Sequence, residues 1–176
     1  MAELPRHSVS VTGIVIRDDG RVLAIQRRDD GRWVPPGGVL ELDESPVNGV
    51  AREVLEETGV KVHAEQLTGV YKNMRLGVVT LAFRCRVIDG TAHASDEARR
   101  IAWLTVEEAT QQMPEARAIR VTDAISRGEP AVRIHDGTRL LLQLSLQKAS
   151  RAHLRRAKPT GVGRDSRGCA GRARRA

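Results

Sequence analysis

Residues 38–60 constrain this chain more than any other segment, because they combine helix-capping residues with a dense set of acids. They read GVLELDESPVNGVAREVLEETGV. Ser45 is a favourable N-cap residue, Pro46 suits the first helical turn, and Gly59 suits the left-handed position that follows a helix. Residues 35–38, with the sequence PPGG, cannot be helical and predict a tight loop before the helix.

Three glutamates share one face of the predicted helix. At about 100° of rotation per residue, Glu53, Glu56 and Glu57 fall within an arc of about 100°. The other side carries an apolar stripe that can pack on a sheet. Its members are Val50, Ala51, Val54 and Thr58. Like charges at this spacing repel each other, and Arg52 offsets only part of the repulsion. A solvated acidic face is the alternative, but it leaves Glu44 and the flanking glycines unexplained.

Clustered carboxylates on a helix suit a hard divalent cation. Mg²⁺ and Mn²⁺ prefer oxygen ligands, and Mg²⁺ usually binds through a few carboxylates together with substrate phosphates. Such a site predicts a phosphate-bearing substrate and a cation that lowers the pKa of a bound water. A further glutamate can then take the proton of the attacking water.

Residues 38–60 resemble the Nudix box, G-x5-E-x7-R-E-U-x-E-E-x-G-U, in which U is an aliphatic residue. Every defined position matches, with Val54 and Val60 as the aliphatic residues. The resemblance extends over residues 6–140, because the preceding strand-like segments, a W-x-P-x-G loop and the sequence AWL at residues 102–104 also look like a Nudix domain. It implies an α/β (α+β) fold, an α/β/α sandwich with a mixed β-sheet flanked by helices.

The resemblance also implies hydrolysis of a pyrophosphate bond in a nucleoside diphosphate linked to another moiety, by attack of water on one phosphorus. Glu53, Glu56 and Glu57 match the metal-binding positions of the family. One of them, or a carboxylate from another loop, serves as the general base. Arg52 matches the arginine that orients these glutamates, so these four residues are the candidate catalytic set.

The box also contains residues with supporting roles. Glu44 matches the first glutamate of the box, which gives structural support, and Gly59 matches the glycine that ends the helix. Gly38 matches the glycine that shapes the loop. Gly37 and Gly38 are candidates for substrate binding.

Two further candidates lie outside the box. Glu97, or Asp96 beside it, precedes a predicted strand where Nudix relatives often bring in another metal-binding carboxylate, and a solvated loop acid is the alternative. Arg27, at the end of the second predicted strand, can reach a substrate phosphate. An ordinary surface arginine is the alternative for Arg27, and Arg28 is its rival for phosphate binding.

The substrate stays open at this stage, because it depends on loops and strand faces outside the box. Signatures of NADH, ADP-ribose and coenzyme A hydrolases are absent, which leaves a (d)NTP or a modified nucleotide as the default class. The alternatives are an ADP-ribose or nucleotide-sugar pyrophosphatase, a non-catalytic Nudix-fold nucleotide sensor, and a prenyl diphosphate isomerase. A sensor commonly lacks a box glutamate, and an isomerase needs an active-site cysteine, for which only Cys85 is available.

Hydrophobic periodicity and turn residues predict the other elements. The predicted strands are residues 9–17, 21–28, 60–71, 77–88, 99–104 and 131–134. The first two form a hairpin around the DDG turn at residues 18–20. The predicted helices are residues 106–112, capped by Thr105, and residues 114–126, whose apolar side includes Ile119 and residues 121–125. Residues 139–146 are ambiguous between strand and helix.

The positive charge of the chain is concentrated at its end. The chain has 29 lysines and arginines against 22 acids, a net charge of +7. Ten basic residues and one acid follow from Lys148 onward, which leaves −2 for the residues before it. We therefore predict a Nudix hydrolase domain over residues 1–146 and a basic, disordered tail over residues 147–176. The tail is either a plain solvated extension or a sequence-independent contact with nucleic acid, and it lacks aromatic residues for base stacking.

The sequence also bears on the cellular setting. It shows no apolar signal segment at its start and no stretch near the roughly 18 to 20 apolar residues of a membrane span. Cys85 and Cys169 lack a C-x-x-C partner. These features predict a cytoplasmic protein without membrane contact. The expected partners are a nucleotide-type small molecule and Mg²⁺, or Mn²⁺, as the cofactor, and a homodimer stays open.

Overall fold

The computed structural model describes residues 6–144, which form eight strands and three helices. The strands are β1 (Ser8–Ile16), β2 (Val22–Arg27), β3 (Trp33–Val34), β4 (Lys61–Asn73), β5 (Val78–Asp89), β6 (Ala98–Leu104), β7 (Ala131–His135) and β8 (Leu140–Leu144). The helices are α1 (Pro46–Thr58), α2 (Val106–Gln112) and α3 (Glu115–Ile125). The predictions for residues 147–176 lie outside the described residues.

The strands form one mixed sheet. Seven of them follow the order β3-β2-β1-β5-β4-β7-β8, and β6 pairs with β2. β1 runs parallel to β5, with Ser8 opposite Val78 and Ile16 opposite Arg86. β4 is antiparallel to β5 and parallel to β7. β1 and β2 pair antiparallel, which confirms the predicted hairpin.

Helix α1 begins and ends where its capping residues predict. The Ser45 side chain accepts a hydrogen bond at 3.2 Å from a backbone N–H of the first turn, Pro46 is the first helical residue, and Gly59 has a φ of 73°. The helix lies close to β1 at Gly13, where an added Cβ atom would come within 2.7 Å of Val54 Cγ2. The absence of a side chain at Gly13 therefore permits this close packing. The core cluster between α1 and the sheet consists of Val11, Val15, Leu23, Val50, Val54, Val60, Val62, Phe83 and Cys85.

Helices α2 and α3 cover the opposite face of the sheet. Val11 and Val15 of β1 belong to the cluster beneath α1, whereas Ile14 belongs to a second cluster with Ala109 of α2 and Val121 of α3. This separation follows from the two-residue period of a strand. Helices on both faces of a mixed sheet confirm the predicted α/β/α sandwich.

The structure differs from the sequence predictions mainly at short elements. β3 was expected to be part of a loop, and two residues are too few to show an alternating pattern. The ambiguous residues 139–146 contain the strand β8. The predicted apolar side of α3 was partly wrong. Ile125 was assigned to it but is 38% exposed, whereas Arg120 is buried. Thr105 caps α2 as predicted. Within residues 6–144, no helix is both long and apolar enough to span a membrane.

Candidate active site

Five carboxylates line one cavity beside α1. Glu53, Glu56 and Glu57 come from the helix, and Glu97 comes from the loop before β6. Asp96 lines the same cavity. The structure therefore brings the three box glutamates together with both residues considered for the additional carboxylate.

Arg52 links the acids of the box to one another. Its Nη1 donates to Glu53 Oε1 at 3.0 Å and to Glu56 Oε2 at 2.9 Å. Its Nε and Nη2 donate to the two oxygens of Glu44 at 3.1 and 2.7 Å. This pairing holds the pKa of Glu44 below its ordinary value. Glu44 thus anchors Arg52, and Arg52 orients two of the helical glutamates.

Glu57 is buried, which is inconsistent with the alternative of a solvated acidic face. The residue is 5% exposed, and its Oε2 accepts a hydrogen bond from Gly37 N at 2.7 Å. Burial raises the pKa of Glu57 to about 7, and the negative charges of Glu53 and Glu97 add to this effect, whereas the Gly37 hydrogen bond opposes it. Burial also raises the pKa of Glu53, against the opposing effect of Arg52. These surroundings disfavour negative charge, and a bound cation would reverse that preference.

The loop of residues 35–38 fits tightly between β1 and α1. Backbone hydrogen bonds of 2.9 Å fasten it to β1 at two points. A Cβ atom on Gly38 would lie 2.4 Å from Glu53 Oε2. Gly37 has a φ of 149°, and a Cβ atom there would lie 2.2 Å from Val11 O. Close approach accounts for both glycines, and their contact with substrate stays a prediction.

Arg27 and Arg28 lie at the edge of the carboxylate site. Arg27 pairs with Asp29 through contacts of 2.9 and 2.6 Å, so part of its charge is already neutralised. It lines a small cavity together with Glu57 and Glu97. Arg28 lines the carboxylate cavity itself. The predicted contact of Arg27 with a substrate phosphate stays a prediction, with Arg28 as the alternative.

The chemistry of the cavity suits a divalent cation. All four glutamates offer oxygen ligands, which Mg²⁺ and Mn²⁺ prefer. Among residues 6–144, no three His, Cys, Asp or Glu side chains are arranged so that they could hold a metal ion as they stand. Arg52 and the Gly37 N–H each engage one oxygen of these glutamates, Oε1 of Glu53, Oε2 of Glu56 and Oε2 of Glu57, so a cation would use the other oxygens.

Cys85 does not line the carboxylate cavity. Its side chain lies in the core cluster beneath α1, and the residue is 1% exposed. Burial raises the pKa of the thiol to about 12. A buried neutral thiol cannot act as the active-site cysteine of an isomerase. The isomerase alternative therefore loses its candidate residue.

Sequence reasoning missed two arginines of α3. Arg117 and Arg120 line a second cavity, which is bordered by Gly37 and Gly38. Their spacing of three residues places both arginines on one face of α3. Spacing alone does not reveal that this face is buried, so the sequence carries no clear signal for either residue.

The sheet, the capped helix and its carboxylates define a Nudix-type hydrolase domain. Residues 6–124 match the NUDIX domain family, and the chain belongs to this family. A MutT-like protein of Streptomyces ambofaciens is 54% identical over 137 residues, which cover 78% of this chain and 89% of that protein. An ADP-ribose pyrophosphatase of Methanocaldococcus jannaschii is 34% identical over 99 residues, which cover 52% of this chain and 58% of that protein.

Solved structures share the fold. A NUDIX hydrolase from Nitrosomonas europaea superimposes with a TM-score of 0.66 at 24% identity, over 75% of this chain and 79% of that chain. An ADP-ribose pyrophosphatase from Streptococcus suis gives a TM-score of 0.61 at 21% identity, over 74% of this chain and all of that chain. Fold and family together make the chain a pyrophosphohydrolase of the Nudix type.

Proposed function

We propose that the chain is a Mg²⁺-dependent enzyme that cleaves the pyrophosphate bond of a nucleoside diphosphate linked to another moiety. The observation that supports this most directly is the set of four glutamates on one cavity, Glu53, Glu56, Glu57 and Glu97. Without a cation, these side chains would repel the phosphates of a substrate. Mg²⁺, or Mn²⁺, held by these oxygens would neutralise phosphate charge and lower the pKa of a bound water.

The residues of the chain orient the reactants and accept a proton. Arg52 holds Glu53 and Glu56 in fixed directions, and the Gly37 N–H fixes Glu57. Water attacks one phosphorus, and its oxygen forms a new bond to that atom. A glutamate of this site takes the proton of the water, and the bond between phosphorus and the bridging oxygen breaks. The leaving phosphate departs with the electron pair of that bond.

We infer a (d)NTP or a modified nucleotide as the substrate class, because the sequence lacks the signatures of the other subclasses. ADP-ribose is the second candidate, and the similarity to the ADP-ribose pyrophosphatase of M. jannaschii favours it. A nucleotide sugar is a related candidate, because its hydrolysis breaks the same type of pyrophosphate bond. A non-catalytic sensor is less consistent with the site, because all the box glutamates are present.

The test is release of phosphate or pyrophosphate with Mg²⁺ over a panel of compounds. The panel contains (d)NTPs, oxidised dGTP, ADP-ribose, NADH, dinucleoside polyphosphates and sugar nucleotides. Glu56→Gln serves as the blank, because Glu56 is exposed and the isosteric change removes one metal-binding charge. We expect turnover to fall by about 100-fold or more in this variant. Glu107→Gln, on the exposed side of α2, is the matched control and should retain wild-type activity.

The outcomes separate the candidates. Turnover of one compound class by the wild type and Glu107→Gln, but not by Glu56→Gln, would support the enzyme and name the substrate. Near-full activity of Glu56→Gln would contradict the ligand assignment. Tight binding of one compound with no turnover of any would favour the sensor.

A further inference from the structure

A second cavity, of about 320 Å³, lies beside the loop of residues 35–38. Four arginines and two aspartates are among the residues that line it. Arg27 pairs with Asp29 at 2.6 Å, and Arg32 Nε lies 3.7 Å from Asp30 Oδ2. The other two arginines come from α3, and neither forms an ion pair with an acid of residues 6–144. The cavity therefore carries a positive charge that the described part of the chain does not balance.

Arg120 presents an unpartnered donor edge. The residue is 1% exposed, and its Nη1 donates to Thr12 Oγ1 at 3.0 Å. Its guanidinium carbon lies 5.1 Å from the centre of the Tyr71 ring. Its Nε and Nη2 are buried and have no hydrogen-bond partner among the described residues. These two atoms form the side edge of the guanidinium, which donates two parallel hydrogen bonds to carboxylates and phosphates.

His135 is a further unpartnered donor, and the charges of Arg117 and Arg120 act on it. Its Nδ1 accepts a hydrogen bond from Gly137 N at 3.0 Å, so the neutral ring carries its proton on Nε2. Burial, together with the charges of Arg120 and Arg117, lowers the pKa of His135 to about 4, so the ring is neutral at pH 7. Nε2 is buried without a partner in the described residues. Since all three unpartnered atoms are donors, their complement is an acceptor.

The rest of the fold supplies an acid where it buries an arginine for structural reasons. Arg133 is buried, and its Nε donates to Asp123 Oδ2 at 2.7 Å. Arg117 and Arg120 have no such acid among residues 6–144. Arginine keeps its charge in proteins, so buried guanidinium groups without a counter-charge cost free energy unless an anion neutralises them. The contrast points to an anionic ligand rather than to a structural role.

We propose that this cavity binds a phosphoryl group that the substrate carries outside its scissile diphosphate. The inference rests on the proposed function and narrows its substrate class to organic pyrophosphates with an additional phosphomonoester. A phosphomonoester has three terminal oxygens, which can accept the charge-assisted hydrogen bonds of the guanidinium groups that line this cavity.

The position of the cavity allows one substrate to reach both sites. Gly37 and Gly38 border the cavity, and the same two glycines contact Glu57 and Glu53. Arg27 lines both this cavity and the small cavity beside Glu57. A substrate with its diphosphate at the carboxylates can therefore extend past this loop into the basic cavity.

The first test uses inorganic phosphate as the probe. Isothermal titration calorimetry is carried out on the full chain in EDTA, with ionic strength held constant by chloride. We expect saturable binding to the wild type and a loss of about tenfold or more in Arg120→Gln and Arg117→Gln, because each change removes a charge-assisted contact. Arg100→Gln, at an exposed position of β6, is the control and should bind phosphate with the same affinity as the wild type. All proteins carry the basic residues from Lys148 onward, so their contribution cancels.

The same titration can refute the proposal. Absence of saturable binding to the wild type would overturn it. Binding of phosphate by Arg120→Gln and Arg117→Gln with the same affinity as the wild type would also overturn it. Thermal melts provide an independent test, because the proposal predicts the direction in which Tm changes. Without phosphate, Arg120→Met should melt at a higher temperature than the wild type, because it removes an unpaired buried charge, and phosphate should no longer raise its Tm. A lower Tm, with the phosphate effect intact in Arg117→Gln, would assign a structural role to Arg120 and overturn the proposal.

A second test distinguishes substrate phosphate from free phosphate. Binding is compared within three pairs, ADP-ribose and its 2′-phosphate, NADH and NADPH, and dephospho-coenzyme A and coenzyme A. The measurements use Glu56→Gln to prevent hydrolysis. We expect the phosphorylated member of at least one pair to bind about tenfold tighter or more, and Arg120→Gln in the same background to abolish the preference. Equal affinities in all pairs would assign the cavity to free phosphate and overturn the substrate proposal. A preserved preference without any hydrolysis by the wild type would contradict only the proposed function.

Discussion

A single methyl group at Gly38 tests whether the position of the Glu53 carboxylate matters for activity. A Cβ atom there would lie 2.4 Å from Glu53 Oε2 and 2.5 Å from Oε1. Because non-bonded carbon and oxygen atoms keep a distance of about 3.4 Å, the carboxylate would have to move by about 1 Å. Gly38 has no positive φ, so an alanine fits its backbone conformation. The change therefore displaces the Glu53 side chain without backbone strain.

The displacement should reduce activity far more than stability. We expect kcat of Gly38→Ala to fall about 100-fold, because a shift of about 1 Å in an active-site group costs about that factor. Glu53 would lose its hydrogen bond to Arg52, a net loss of about 1 kcal/mol. Arg52 would keep its contacts with Glu44 and Glu56. For a domain of this size, the change corresponds to a fall in Tm of about 4 °C.

Two further glycine-to-alanine changes are matched controls in the same hydrolysis assay and thermal melt. Gly37→Ala places a Cβ atom 2.2 Å from the backbone oxygen of Val11 at a φ of 149°. Strain and clash together should lower its Tm by more than about 10 °C. In Gly128→Ala, the nearest atom is Ser126 Oγ at 3.9 Å, so both activity and Tm should match the wild type.

Two results would refute this reasoning. Wild-type kcat in a folded Gly38→Ala protein would show that the position of the Glu53 carboxylate is unimportant for the reaction. A loss of Tm as large as that of Gly37→Ala would show that the loop backbone, rather than the side chain, absorbs the clash.

Three other perturbations have defined outcomes. Asp123→Asn should lower the free energy of unfolding by about 3 kcal/mol in urea titrations, because the buried Arg133 would lose the carboxylate charge that neutralises it. Asp43→Asn, on the surface, should not. The folded-state pKa of His135 is about 4, below its ordinary value of 6.5, so the unfolded chain binds more protons between these values. The stability of the fold should therefore fall by up to about 3 kcal/mol as pH falls from 6.5 to 4. His135→Asn should show a flatter stability curve over this window than the wild type. Deletion of residues 147–176 should leave hydrolysis of small nucleotides nearly unchanged, and a large loss would place that segment at the site.

Local signals made the box helix predictable. Ser45 and Gly59 define its limits through the geometry of helix ends, which depends on residues that are neighbours in sequence. Helical rotation places Glu53, Glu56 and Glu57 on one face of the helix, and this geometry also depends only on residues that are close in sequence. The structure reproduces the predicted helix, and it places these side chains on one cavity.

Features that depend on distant residues were not predictable. Burial of Glu57 results from the loop of residues 35–38, which folds over the helix and donates a backbone N–H to the carboxylate. The partner of Arg120 is Thr12, 108 residues away in sequence. An arginine on a helix face is usually solvated, so spacing alone does not indicate that Arg120 is enclosed by strands.

The loop of residues 35–38 borders two sites of opposite charge, and its glycines explain how they can lie so close together. On one side, Gly37 and Gly38 contact glutamates that need a cation before a phosphate can approach. On the other side, the same glycines border a cavity whose arginines need an anion. Side chains on this loop would push the two sites apart or displace their ligands. A substrate with a diphosphate and a separate phosphomonoester would satisfy both requirements at once, the first through a bound metal and the second through Arg120. Chelation of metal should therefore abolish the first interaction and leave the second intact.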